Sequence, residues 1–186
     1  ICVFDADLAV HNLMMPDGAA VNEVLEVFPD VAMDGGIDRK ALGSIVFVDA
    51  IKLQKLENIL HLWVRRKEHA FLATMARRRE RLIVLDIPLL LETGGDDRCD
   101  GVVVVSAPAA IQKRRVLQRS GMTREHFNTI MDRQIEDSDK CRMADFVVQT
   151  GLGRSHSLRV ITNIVTVTKF WPPRHWPPTY NSRKMA

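Results

Sequence analysis

The stretch Leu82-Ile83-Val84-Leu85-Asp86-Ile87-Pro88-Leu89-Leu90-Leu91-Glu92 decides how this chain is read. Uncharged residues fill Leu82 to Leu85 and Ile87 without alternating apolar and polar positions, which predicts a strand of a parallel sheet covered by helices on both faces. Pro88 cannot donate to a strand ladder, so the strand ends near Ile87, with Asp86 at its carboxyl end and Glu92 in the loop beyond. Open parallel sheets gather their chemistry at that edge.

The same motif of strand and charged edge recurs along the chain. Ile1 to Phe4 reads as a short buried strand running into Asp5-Ala6-Asp7, after which Leu8, Val10, Leu13 and Met14 fall at helical spacing. Asp7 is placed to cap that helix. Two carboxylates at one strand-to-helix turn repel, however, so a second reading gives one of them to catalysis as a base or a magnesium-shell ligand. Downstream, Gly101 to Val105 reads as another buried strand, and a helix from about Ala109 carries Gln112, Arg115 and Arg119 on one face, where a phosphate chain would relieve the repulsion of the guanidiniums. A further helix over 123–135, a strand Phe146 to Val148 ending at Gln149-Thr150-Gly151, and a helix over 158–167 complete an α/β alternation.

Between the first two strands lies a helical block. Val21, Val24, Leu25 and Phe28 mark one helix, Asp38 caps a second, and Asp49 or Lys52 starts a long third through Leu53, Leu56, Leu60 and Trp63 toward Met75. His61 lies on or beside its apolar stripe, which makes a buried, hydrogen-bonded histidine the simplest reading. Arg65 to Lys67 and Arg77 to Arg79 read as solvated helix surface. The tail repeats Trp-Pro-Pro at 171–173 and 176–178 and is expected to be extended and uninvolved.

With 46% hydrophobic and 26% charged residues in 186, the chain has the composition of a soluble globular protein. No apolar run approaches the roughly 20 residues that span a bilayer. A net charge of +3 is carried in clumps of arginine and lysine, which favours an anionic partner. With one Tyr and no aromatic-rich basic strand to stack bases, a phosphorylated small molecule is expected, with no nucleic acid and no membrane. Cys2, Cys99 and Cys141 form no CxxC pair and read as reduced thiols of a cytoplasmic protein.

The order of motifs resembles the dephospho-CoA kinases, over about residues 1–168. Asp-Ala-Asp stands at Asp5 to Asp7 and Gly-Ile-Asp-Arg at Gly36 to Arg39. Leu-Glu-x-Ile-x-His spans Leu56 to His61, and Pro-Leu-Leu-x-Glu spans Pro88 to Glu92. Gln-x-x-Arg-x-x-x-Arg is present as Gln112, Arg115 and Arg119, and Gln134, Ala144 and Asp145 close the series. Six short pieces in one order make accident implausible.

The resemblance implies a P-loop kinase-like parallel sheet flanked by helices, with a helical substrate-binding insertion and a helical lid. The core would comprise 1–15, 82–108 and 144–168, the dephospho-CoA domain 16–81, and the lid 109–143. It implies ATP with Mg2+, and phosphorylation of the 3′-hydroxyl of dephospho-CoA as the last step of coenzyme A synthesis. Asp7 matches the base for that hydroxyl, and Arg115 matches a lid arginine meeting the ATP phosphates, with Arg119 beside it. Thr150 and Gly151 would contribute to the nucleotide pocket, and Asp5, Asp7, Arg39, His61, Leu89, Leu90 and Glu92 to dephospho-CoA binding. No protein metal-ligand set is implied, and the oligomeric state is left open.

Three departures matter. The family's G-x-x-x-x-G-K-[ST] loop does not occur in 1–186, so it is expected upstream of Ile1, and without it the printed stretch is expected not to bind ATP productively. Leu62 stands where the family usually has Pro, and Thr150 where it usually has Asn. The alternative readings are another P-loop kinase for nucleosides or nucleotides, and a non-catalytic basic binding fragment.

Overall fold

The computed structural model describes residues 1–119 and 121–177 and divides into two compact units, Ile1–Pro88 and Leu89–Ala186. The first unit runs β1 (Cys2–Asp5), α1 (Ala6–Leu13), α2 (Val21–Val27), β2 (Ala32–Met33), β3 (Gly36–Ile37), α3 (Arg39–Val46), α4 (Ala50–Arg77) and β4 (Ile83–Asp86). Strands β1 and β4 pair in parallel, with Asp5 opposite Asp86, so the carboxyl ends of both strands carry an acid.

The helical block forms because its apolar stripes have one another to cover. Leu13, Val24, Phe28, Val31, Leu42, Val46, Leu56 and Leu60 make one buried cluster, each such side chain contributing about 1.5–3 kcal/mol relative to exposure. The helix starts are set by carboxylates: Asp38 accepts from the N–H groups of Lys40 (2.9 Å) and Ala41 (3.0 Å), and Asp49 from those of Ile51 and Lys52. Between α1 and α2 the chain closes on itself so tightly that a Cβ at Gly18 would stand 2.3 Å from the Leu13 carbonyl oxygen, which only glycine allows. Trp63 donates its indole N–H to Glu23 (3.0 Å) and carries the Arg66 guanidinium over its ring, joining α4 to α2. The β2–β3 hairpin, turned at Asp34 and Gly35, was not expected; its strands of two residues are too short to give a period-two signal.

The second unit has a 3-10 turn at Gly95–Arg98, with Gly95 buried. It continues with β5 (Val103–Ser106), α5 (Ala109–Leu117), α6 (Arg124–Met131), α7 (Asp137–Met143), β6 (Phe146–Gln149) and α8 (Arg154–Thr168). Strands β5 and β6 pair in parallel from Val103 opposite Phe146 to Ser106 opposite Gln149. Helix α7 has no counterpart in the sequence reading, because its seven residues are mostly polar and show no apolar stripe.

One expectation about the strands changes. Neither β4 nor β5 is buried on both faces: Val84, Val103 and Val105 remain 41%, 46% and 66% exposed, while Val104 and Ser106 are buried. Successive side chains point to opposite faces, and a run of valines records only that both sets are apolar, not that both are covered. The tail also departs from expectation, since it is held as far as Trp176. Trp171 stacks on Phe146 at 5.3 Å, and the Asp100 carboxylate accepts from the successive N–H groups of Arg174, His175 and Trp176 at 2.7, 2.7 and 3.0 Å. Pro178, which ends the second Trp-Pro-Pro repeat, lies outside the described residues.

Candidate functional site

In the first unit the candidate chemistry sits where β1 turns into α1. Asp5 is extended at φ −104°, ψ 110°, and its carboxylate accepts from the Leu8 N–H at 2.8 Å, so Asp5 caps α1. This corrects the sequence expectation that Asp7 is the cap. Asp7 lies inside the first turn instead, exposed and with no hydrogen-bond partner among the described residues. The physical reason is that a cap must precede the helical dihedrals, and the helix begins at Ala6, one residue before Asp7. Asp7 therefore keeps a whole carboxylate available.

One turn along α1, the His11 ring faces Arg39 from the start of α3, with Arg39 Nη1 2.5 Å from His11 Nδ1. His61 is exposed on α4, not buried as its position beside the apolar stripe suggested; it falls one residue past Leu60, outside the packed arc. Leu62, at the place where a proline is usual in the family, is 61% exposed within a helix that runs unbroken for 28 residues. Proline there would interrupt the helix.

The second unit treats its candidate residues differently. Arg115 on α5 donates from Nη1 to the Thr150 hydroxyl (3.0 Å) and from Nη2 to the Thr150 carbonyl (3.1 Å). The Thr150 hydroxyl in turn donates to the Ser106 carbonyl at 3.0 Å, which bridges the ends of β5 and β6. Arg115, Thr150 and Gly151 are thus brought together. A Cβ at Gly151 would meet Pro108 Cδ at 2.8 Å, so this glycine serves an internal close approach. Arg119, expected on the same helix face, lies beyond the α5 C-cap Gln118 and is exposed.

Glu92 is the most constrained of the predicted residues. Its side chain is 11% exposed and accepts from the Ile135 N–H at 3.1 Å and pairs with Lys140 Nζ at 3.0 Å, and Lys140 also donates to Gln134. Burial pushes the Glu92 carboxyl up, but hydrogen bonds from its own backbone, Lys140 and the Ile135 N–H outweigh it and hold the group below the usual carboxylate range. Leu89, ahead of it, adopts a left-handed φ of 56° and is exposed, whereas Leu90 packs against the small core around Leu91, Val102 and Val104.

The sequence reading missed Asp137, which accepts from the Ser106 hydroxyl (2.6 Å) and from Gln112 (3.1 Å), and so ties α7 to β5 and α5. No local pattern signals such a bond, whose partners are 31 and 25 residues away. Among the described residues no group of three or more His, Cys, Asp or Glu could hold a metal ion, and no helix is long and apolar enough to cross a membrane.

Comparison with known proteins gives the family and the fold. The family model described as dephospho-CoA kinase matches residues 1–153. A dephospho-CoA kinase of Rhodospirillum rubrum is 48% identical over 170 residues, covering 91% of this chain and 81% of that protein. The crystal structure of TT1252 from Thermus thermophilus superposes with a TM-score of 0.71 at 30% identity, covering 89% of this chain and 83% of that one. A dephospho-CoA kinase from Campylobacter jejuni, at 24% identity, shares the fold with a TM-score of 0.62 over 90% of this chain and 87% of its own. With its motifs in order, its α/β architecture and a family match reaching from the first residue to Gly153, the chain belongs to the dephospho-CoA kinase family.

Proposed function

We propose that the protein transfers the γ-phosphoryl group of ATP to the 3′-hydroxyl of dephospho-CoA, with Asp7 as the base. The observation that carries this reading is the unengaged Asp7 carboxylate at the carboxyl edge of β1, which Asp5 frees by taking the cap. The 3′-oxygen attacks the γ-phosphorus, the bond to the β,γ-bridging oxygen breaks, ADP leaves and the hydroxyl proton passes to Asp7. Such transfers proceed through a loose, charged transition state, so alignment and positive charge count for more than covalent chemistry.

Arg115 supplies that charge to the ATP phosphates, and its double hold on Thr150 limits the rotamer freedom it must give up on binding. Arg119, Thr150 and Gly151 complete the nucleotide side. Arg39, His61, Leu89, Leu90, Asp5 and Glu92 belong to dephospho-CoA binding; Asp5 and Glu92 act there through the backbone they fix, since the carboxylates are already engaged. Residues 16–81 form the dephospho-CoA domain and 109–143 the lid. Magnesium arriving with ATP needs only one or two carboxylates besides phosphates and waters. Asp86, opposite Asp5 at the carboxyl edge of the paired strands, fits that requirement, and the ion would neutralise phosphate charge. The three free cysteines suit the reducing cytoplasm.

The test is phosphorylation by the gene product that carries this chain, with dephospho-CoA set against a panel of nucleosides and nucleotides. Selective turnover of dephospho-CoA, lost in Asp7→Asn, supports the reading; equal or better turnover of a nucleoside overturns it.

A further inference from the structure

We infer that His11 is a positioning residue for substrate, holding the Arg39 guanidinium one helical turn from the Asp7 carboxylate so that acid and cation meet dephospho-CoA as a fixed pair. The inference rests on the roles proposed above for Asp7 and Arg39, and deepens them by naming the group that sets their spacing.

Three features of the first unit converge on this. Arginine is always protonated and only donates, so in the contact between Arg39 Nη1 and His11 Nδ1 the imidazole nitrogen must accept. Asp38, bonded to the next two N–H groups, locks the backbone at the start of α3, so Arg39 leaves from a fixed Cα. Its long side chain would otherwise be free, because among the described residues no carboxylate pairs with it. His11 is the group that removes this freedom.

The placement of His11 on α1 gives the contact its consequence. Asp7 and His11 are four residues apart on one helix, which makes them neighbours on a single face, about 5–6 Å apart at Cβ. Only one terminal nitrogen of Arg39 is used by His11, which leaves Nη2 and Nε free to grip an anion with two donors. The face therefore offers a carboxylate to a hydroxyl and, one turn on, a guanidinium edge to a phosphate. Dephospho-CoA presents that combination on one ribose, with the 3′-hydroxyl beside the 5′-pyrophosphate.

The bland alternative is that His11 merely complements the C-terminal end of the α1 dipole. That role would affect melting and leave affinity alone. The test is titration of the gene product carrying this chain with dephospho-CoA, without ATP, across His11→Ala, His11→Asn, Arg39→Ala and the double variant, with melting temperatures alongside. Loss of the acceptor in His11→Ala weakens binding about tenfold, the scale of one hydrogen bond to a charged group. The shorter acceptor of His11→Asn restores most of that loss, and the double variant binds no worse than Arg39→Ala.

Unchanged affinity in His11→Ala, or a His11→Ala loss that persists in full in the Arg39→Ala background, overturns the inference. Should Arg39→Ala itself bind normally, the Arg39 role falls and takes the inference with it. A weakened Arg39→Ala beside a normal His11→Ala removes His11 alone.

Discussion

The two units handle the same kind of residue in opposite ways. In the first, Asp5 and Asp38 cap helices but other motif side chains are left available: Asp7 has no side-chain partner among the described residues, His61 is exposed, and Arg39 is touched by one imidazole. In the second they are consumed: Glu92 by Lys140 and the Ile135 N–H, Gln112 by Asp137 and the Ala107 carbonyl, Asp145 by the Val102 N–H, Arg115 by Thr150. A motif residue is therefore not one kind of object. In the first unit part of the motif set has no internal bond to satisfy, which fits the substrate roles proposed for it, and in the second Glu92, Gln112 and Asp145 hold short strands and mostly polar helices in place, where the apolar core is small.

If that contrast holds, Asp7→Asn has the largest effect of any single change, lowering turnover of dephospho-CoA by about 10²–10⁴-fold, as for loss of a general base. Its melting temperature stays that of the parent, because no structural bond is lost; a clear drop in melting would erase the distinction between the units.

Arg115→Ala comes next, with turnover falling by about 10²-fold, the scale for removing a charge-stabilising donor. Here a modest fall in melting temperature accompanies it, since two bonds to Thr150 go too. Arg115→Lys should not restore activity, because an ammonium cannot reproduce the two-pronged grip. Equal loss of stability and activity would make Arg115 a brace like its neighbours.

Lys140→Ala is expected to cost about 1–3 kcal/mol by leaving the Glu92 carboxylate mostly buried and short of a partner, read by denaturant unfolding. The pH dependence sharpens this. The Glu92 carboxyl is lowered from 4.5 in the folded protein, so its contribution is fully present above the unfolded value and is lost as pH falls through the lower folded one. Unfolding measured between pH 5 and pH 3 should steepen in the parent relative to Glu92→Gln. An identical acid limb in the two would remove Glu92 from the braces.

The smallest effect belongs to the tail. Asp100→Ala removes the acceptor of three N–H groups at an exposed site and should cost about 1 kcal/mol, visible as faster proteolysis beyond Trp171 with turnover unchanged.

Much of this was legible in residue order. The α/β alternation followed from apolar runs separated by helical spacing, and the caps Asp38 and Asp49 from an acid placed just before an apolar stripe. The Asp5–Asp7 pair shows where such reading stops, because both positions carry the right side chain and only the backbone dihedrals say which precedes the helix. His61 shows the same limit on a stripe's edge, where one residue of rotation separates buried from exposed.

Local chemistry in the sequence determined the elements, the acids at the strand ends and the family, since each depends on neighbours within a few positions along the chain. The tertiary structure decided which of those groups remain free. Glu92 meets Ile135 across 43 residues and Arg115 meets Thr150 across 35, and a hydrogen bond between distant side chains depends on how folded elements approach, which no spacing pattern encodes.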